Sequence, residues 1–486
     1  MESDDIKLIQ KKGLNSVIWS AIERFSVQAI QVLLSLVIAR LISPSDYGLI
    51  AMLTIFIAIA QAFVDSGLSN ALIQKKEKSD IDYSTAFYSN IAIAIVIYII
   101  LFFCAPWIAD FYNEPLLVEL TRWIGLNLII SAFIIVQQAQ LVINLKFKKQ
   151  AKLSLFSVLI SGGLGIYLAY RGQGVWALVF QTLSKNIING ALLWVTSRWR
   201  PMLQFSKSSF KSLFGFGSKL LVGGLIHSLY TNVYSMVIGK IFNAKDVGLY
   251  NQAHNLASFA PNNITFMISR AVYPIECQLQ DQNDRLKIIF IQYLRIAVLV
   301  IFPLMVGLSI LSRPLINVLL TEKWDQASIL LSIVCLAYMW QPIQSMNWQL
   351  LSVKGRTDLS LQSEIVKKII AIIILIVTIP GGVKVMCLGL LVYAFVDMGI
   401  IIFYVKRTIG ITYLEEIKNI LPFLLFSLLM GFVVFLVTCY IDNYKLQLLI
   451  GIPLGILVYV TLGIFFRIHE FIDVCKFIIS KVKNYK

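Results

Sequence analysis

Charge is scarce in this chain. Only 14% of its 486 residues are Asp, Glu, Lys or Arg, while 58% are hydrophobic, and the mean hydropathy is +0.79. A water-soluble domain carries about 25% charged residues, so a chain this apolar has too little polar surface to meet water, and a bilayer must be its solvent. Histidine is nearly missing, with three residues and no HExxH-type pair. The six cysteines, Cys104, Cys277, Cys335, Cys387, Cys439 and Cys475, are scattered and form no CxxC. Metal centres and disulfide frameworks need closer clusters, so no metal site and no cofactor is expected, and the cysteines read as packing residues. Long polar stretches are missing as well. No segment between apolar runs exceeds about 20 residues, which leaves no room for a soluble catalytic domain and speaks against an enzyme.

What the chain has in plenty is long apolar runs. A bilayer-crossing helix takes about 20 mostly apolar residues. By that measure, spans fall near 16–42, 46–73, 83–109, 116–143, 151–171 and 174–196. Eight more follow near 209–241, 246–275, 286–311, 326–352, 359–379, 384–405, 418–440 and 446–466. The first run is too long for the apolar core of a signal peptide and lacks a small-residue cleavage site, so it is expected to stay as a span. The net charge of +16 could suggest nucleic acid; in a membrane protein it marks cytoplasmic loops instead. Lys75, Lys76 and Lys78, then Lys146, Lys148, Lys149 and Lys152, then Arg198, Arg200, Lys207 and Lys211 all fall on one side with both termini. The other side holds roughly a third as many cations, which predicts cytoplasmic termini.

An internal repeat organises the spans. VIARLISPSDYGL at 37–49 aligns with VIGKIFNAKDVGL at 237–249. Each copy carries a cap residue with an acid three positions on, Ser43 with Asp46 and Asn243 with Asp246, the spacing that caps a helix N-terminus. Pro106 and Pro314, and LSL at 153–155 and 359–361, recur in the same order. Six spans separate the copies, so both halves run in the same sense, and such parallel repeats typically hold substrate at their interface. The expected fold class is an all-α integral membrane protein of about fourteen transmembrane helices, in two parallel six-helix lobes around a central cavity plus a C-terminal pair. The expected divisions are 1–200 and 201–407 for the lobes, 408–466 for the added pair and 467–486 for a basic cytoplasmic tail.

Ionisable groups inside spans are the strongest functional signal, because each costs about 2.5–3.5 kcal/mol at mid-bilayer on insertion scales. They include Glu23, Arg24, Asp65, Lys185, Arg270, Arg295, Lys367, Lys368 and Asp397. Ser20, Arg24, Gln28, Gln31 and Ser35 lie at helical steps of 4, 4, 3 and 4, which makes one stripe. That stripe reads as a cationic site for an anionic group, or as an arginine neutralised by Asp65. Glu23 cannot face Arg24, since neighbouring helical residues point apart. The eighth span holds Asn255, Asn262 and Arg270 among many polar residues, and the fourth and tenth spans are rich in glutamine and asparagine. Such residues suit hydroxyl-rich ligands, and they also bind helices to one another. Lys367, Lys368 and Asp397 suggest an internal ion pair or a coupling site.

SVIWSAIERFSVQ at 16–28, ARLISPSDYGLIAM at 39–52 and FVDSGLSNALIQ at 63–74 carry a family likeness, as do SRAVYP at 269–274, QLQDQNDR at 278–285, EKWDQA and KGRTDLSL at 354–361. With these segments the chain resembles the Wzx-type (WzxC-like) polysaccharide flippases of the multidrug/oligosaccharidyl-lipid/polysaccharide exporter superfamily. The resemblance implies two lobes that open alternately in a bacterial inner membrane. It implies a substrate of undecaprenyl pyrophosphate bearing an oligosaccharide repeat unit, moved outward for capsule, O-antigen or exopolysaccharide synthesis. Polysaccharide polymerase machinery would be a partner, nucleic acid would not, and a monomer is expected. H⁺ or Na⁺ would be the coupling ion if there is one. Cavity arginines on the first and eighth helices of related lipid flippases correspond to Arg24 and Arg270, with Gln28, Gln31, Asn255 and Asn262 beside them as substrate contacts. The rival from the same superfamily is a cation-coupled multidrug antiporter, which would favour acidic rather than cationic cavity residues. A membrane-embedded polymerase or ligase would need a large outer loop.

Overall fold

The structure is a computed structural model that describes residues 26–65, 67–75, 77–197 and 199–468. Among them there are only helices and connections, with no strand. The chain divides into two compact units, Met1–Gly248 and Leu249–Lys486.

In the first unit the helices are α1 (Ser26–Leu41), α2 (Pro44–Asp65), α3 (Leu68–Gln74), α4 (Asp80–Tyr112) and α5 (Leu117–Ala132). Then come α6 (Ile135–Ile143), α7 (Phe147–Tyr170), α8 (Val175–Thr196), α9 (Lys207–Ile241) and the first turn of α10 (Ala244–Gln278). Local chemistry sets the starts. At α2, Ser43 and Asp46 bond reciprocally, Asp46 Oδ2 accepting from Ser43 N at 3.1 Å and Asp46 N donating to Ser43 Oγ at 3.2 Å. Asn243 and Asp246 do the same work at α10, with Asp246 N donating to Asn243 Oδ1 at 2.9 Å. Ser79 and Asp82 form the box that opens α4, and Lys75 reaches Asp82 at 2.7 Å. Backbone groups satisfied inside helices are what hydrocarbon requires. The flanks of α4 are apolar all round: Ala94, Leu101, Ala105 and Ile108 are buried, whereas Trp107 is 72% exposed. A helix that is hydrophobic on every side belongs in a membrane.

The repeated motif marks a close backbone approach in this unit. A Cβ on Gly48 would lie 1.6 Å from Ala244 O, and one on Gly248 would lie 1.9 Å from Pro44 O. Only glycine lets the two helix starts cross this closely. α9 packs on α2, α3 and α4, although the repeat aligns it with α1. The connector before α9 is tied to the start of α4, Met202 N donating to Ser84 Oγ and Ser206 N to Thr85 Oγ1.

The second unit continues α10 and adds α11 (Asn283–Ile310), α12 (Ser312–Leu319), α13 (Asp325–Tyr338) and α14 (Gln341–Val353). It ends with α15 (Thr357–Thr378), α16 (Gly382–Ile409), α17 (Tyr413–Thr438) and α18 (Tyr444–Phe465). The C-terminal pair packs within this unit, α17 along α11 and α18 along α12 and α17.

Helices occupy the stretches expected from hydropathy, but three expected spans are broken. The 46–73 span turns at Gly67, whose φ of 66° lies in the left-handed region. The 116–143 span bends by 43° between α5 and α6, where Ile134 N bonds back only three residues to Ser131 O. The 326–352 span breaks before Pro342, which has no N–H to continue the ladder. Among the described residues, nine helical stretches are long and apolar enough to cross a membrane, or ten if the α5–α6 pair is one span. One of these, Thr357–Ile409, contains both α15 and α16. α8 and α10 are long enough at 22 and 35 residues, yet they carry many polar side chains. Apolarity among the described residues does not fix the expected count of fourteen. The chain is a multi-pass helical membrane protein.

A polar cavity in the first unit

Gln28 and Gln31 lie one turn apart on the same face of α1, and that face borders a cavity of about 530 Å³. Gln138 of α6 and Ser154 and Ser157 of α7 form further walls, and Lys185, Asn186 and Asn189 project from α8. Lys185 and Asn189 are four residues apart, so one helical face presents both. Asn186 is anchored by donating to Asn127 Oδ1 at 2.9 Å. The Lys185 ammonium has no hydrogen-bonding or ionic partner among the described residues. A lone ammonium within a membrane bundle holds its charge only where water or an anion reaches it, and the cavity supplies that access. The lining offers amide donors and acceptors, hydroxyls and one cation, a set suited to hydroxyl-rich and anionic groups.

The other expected site residues fall in different places. Glu23 and Arg24 lie outside the described residues. Asp65 ends α2 on an exposed side and accepts from Gln61 Nε2 at 2.8 Å. On α10, Asn255, Asn262 and Arg270 are all exposed and share one helical face with Phe266, over whose ring Arg270 sits at 6.0 Å. The opposite polar groups of α10 are turned inward. His254 bonds Tyr338 at 2.7 Å and Thr265 donates to Gln341 at 2.9 Å. The polar wealth of the eighth span is thus split between an exposed stripe and inter-helix bonds.

Lys367 is buried between two acids, 2.6 Å from Glu364 Oε1 and 3.2 Å from Asp397 Oδ1. Lys368 reaches Glu364 at 3.5 Å. The structure brings these four groups together into a cluster with no net charge. The amides of α14 are spent in similar pairings: Gln344 on Ala394 O at 2.9 Å, Asn347 on Glu416 at 3.0 Å and Gln349 on Glu276 at 2.6 Å. Glu276 and Glu416 are both 0% exposed. Sequence reading missed them because both lie just beyond the ends of expected spans, where an acid looks like a loop residue. At the α12–α13 reversal charge pairing is superficial: the exposed Arg313 holds Asp325 at 3.0 Å, and that carboxylate raises the arginine pKa.

A helical bundle with a polar, cationic cavity within one unit defines a class, the multi-pass α-helical membrane proteins with an internal polar cavity. The fold agrees with that of solved structures. The chain is similar to the lipid II flippase MurJ in an inward closed conformation, with a TM-score of 0.76, 18% identity, and 93% of this chain and 99% of that one covered. It is also similar to an inward-facing MATE-family multidrug resistance transporter of the MOP superfamily, with a TM-score of 0.60, 14% identity, and 80% and 98% covered. The profile of a family described as polysaccharide biosynthesis protein matches residues 37–329, and the chain belongs to that family. Among relatives, the lipopolysaccharide biosynthesis protein WzxC of Escherichia coli K12 is 26% identical over 86% of each chain. The teichuronic acid biosynthesis protein TuaB of Bacillus subtilis 168 is 25% identical over 72% of this chain and 73% of its own.

Proposed function

We propose that the protein is a flippase that moves undecaprenyl-pyrophosphate-linked oligosaccharide units from the cytoplasmic to the outer leaflet by alternating access. The observation that carries this reading is the cavity where Gln28, Gln31 and Lys185, which has no partner among the described residues, meet inside a membrane bundle. Sugar hydroxyls match its amides, and a phosphate or acidic sugar matches its cation. An antiporter for cationic drugs would be poorly served by a cavity whose one charged wall residue among those described is a lysine. The exposed stripe of Asn255, Asn262 and Arg270 supplies a second set of the same chemistry, and Arg24 would extend the Gln28 face by one turn. Arginine grips phosphate oxygens bidentately. Outward movement of an anion from a negative cytoplasm gains about 2.3 kcal/mol per charge per 100 mV, so the membrane potential can drive the step. The neutral cluster of Lys367, Lys368, Glu364 and Asp397 is read as a brace rather than a coupling site.

Deleting the gene tests the reading. The undecaprenyl-linked repeat unit should accumulate, complete, on the cytoplasmic leaflet while surface polysaccharide falls. Normal surface polysaccharide with no accumulated intermediate would reject it. Sidedness is tested by thiol labelling from outside, which should reach a cysteine at Ser45 or Lys245 and miss one at Lys78.

A further inference from the structure

A second cavity of the first unit, of about 630 Å³, opens at the lysine-rich ends of the helices. Its walls include Tyr83 of α4, Gln137 and Gln140 of α6, Lys146 and Lys149 at the start of α7, and Trp199 after α8. Gln137 is only 1% exposed, and neither its amide nitrogen nor its amide oxygen has a partner among the described residues. The Trp199 indole N–H is likewise buried with no acceptor among them. Buried polar groups are nearly always bonded, and leaving one unmet is costly. Two such groups on one cavity wall call for an occupant that both accepts and donates. Charge adds a third requirement. The exposed Lys146 ammonium has no partner among the described residues, whereas Lys149 donates to Thr196 O and so pins α7 to α8. The floor is aromatic, Trp199 lying edge-on to Tyr83 at 6.1 Å and to Phe87 at 5.9 Å.

A phosphate flanked by hydroxyls meets all three requirements. Anionic oxygens satisfy Lys146 and the indole N–H, and hydroxyls satisfy the Gln137 amide. Tryptophan and lysine together at the end of a bundle mark the membrane–water interface, and basic pockets between helices on the cytoplasmic side take acidic lipid headgroups. We propose that this pocket binds the phosphate–polyol headgroup of an anionic phospholipid of the phosphatidylglycerol type. It stands apart from the Gln28–Lys185 cavity and does not depend on the flippase reading.

The test is thermal unfolding of the full-length protein in mixed micelles containing either phosphatidylcholine or phosphatidylglycerol. Phosphatidylglycerol should raise the unfolding midpoint by about 3 °C or more over phosphatidylcholine, as a ligand selective for the folded state does. Lys146→Gln and Gln137→Leu should each remove at least half of that increment, and the double variant all of it. In phosphatidylcholine, Gln137→Leu should unfold no earlier than the natural chain, because it deletes an amide that has no partner among the described residues. Absence of the increment, or its full survival in both single variants, would overturn the proposal. So would an equal increment from glucose 1-phosphate in phosphatidylcholine micelles, which would assign the pocket to a soluble sugar phosphate.

Discussion

In the first unit Lys185 and Lys146 face cavities with no acid among the described wall residues, whereas in the second Lys367 lies between Glu364 and Asp397. Amides follow the same division. Gln28, Gln31 and Gln138 border open space, but Gln344, Asn347 and Gln349 are bonded to neighbouring helices. Residue types that look alike along the chain therefore do opposite jobs. A polar residue in a span marks a transport path only when a cavity reaches it; when a partner helix reaches it, the residue is a brace. Around its cavities the first unit leaves amides and lysines available, whereas the α14 amides and the Lys367 cluster of the second are spent on neighbouring helices.

The largest effect should come from breaking the second unit's cluster. Lys367→Met leaves Asp397 buried beside Glu364 without its cation, a change worth about 3–5 kcal/mol where one partner of a buried pair is removed. Detergent-solubilised protein should unfold earlier and its membrane abundance should drop. Adding Asp397→Asn should recover most of the loss, since Glu364 keeps Lys368. If Lys367→Met is as stable as the natural chain, the contrast between the units fails.

A smaller effect is expected where the repeats cross. The Gly48→Val side chain would have to occupy the space of Ala244 O, and overpacking of this sort costs about 1–3 kcal/mol. Because that contact joins the starts of α2 and α10, the cost should appear as a separation of the two. Cross-linking between cysteines at Ser45 and Lys245 should fall sharply in Gly48→Val at normal abundance. An unchanged yield would mean that the crossing is not held by its glycines.

Least of all should change on Glu276→Gln. Its carboxylate accepts from Gln349 Nε2, a bond that an amide oxygen accepts as well, so stability should move by less than about 1 kcal/mol. Glu276→Leu instead strands the Gln349 amide and should cost about 1–3 kcal/mol. Equal losses in both variants would show that Glu276 needs its charge, and that the second unit is not self-satisfied at this point.

The apolar runs and the two cap motifs placed nearly every helix, because length and hydropathy are local properties of a span. The breaks were less legible. Pro342 inside an expected span was a visible warning, but Gly67 reveals its left-handed backbone only once α3 turns away from α2. The short α12 is too brief for a span ruler to register. The stripe of Gln28 and Gln31 was readable from spacing, yet its joining with Lys185 was not, since they lie over 150 residues apart and meet only by packing. Lys367 and Asp397 could be paired in advance because opposite charges on adjacent spans have few other partners. Glu276 and Glu416 could not, because their burial depends on α14 lying between α10 and α17.

The most direct measurement is flipping in proteoliposomes loaded on one leaflet with a fluorescent undecaprenyl-pyrophosphate-linked oligosaccharide, with accessibility read by a membrane-impermeant quencher. The natural chain should move the lipid well above protein-free liposomes. Lys185→Ala should slow it by more than about tenfold at equal reconstituted amount, as loss of a charge-assisted bond implies, and Lys185→Arg should retain part of the rate. Flipping by Lys185→Ala at the natural rate, or none by the natural chain under an outward-driving potential, would contradict the account.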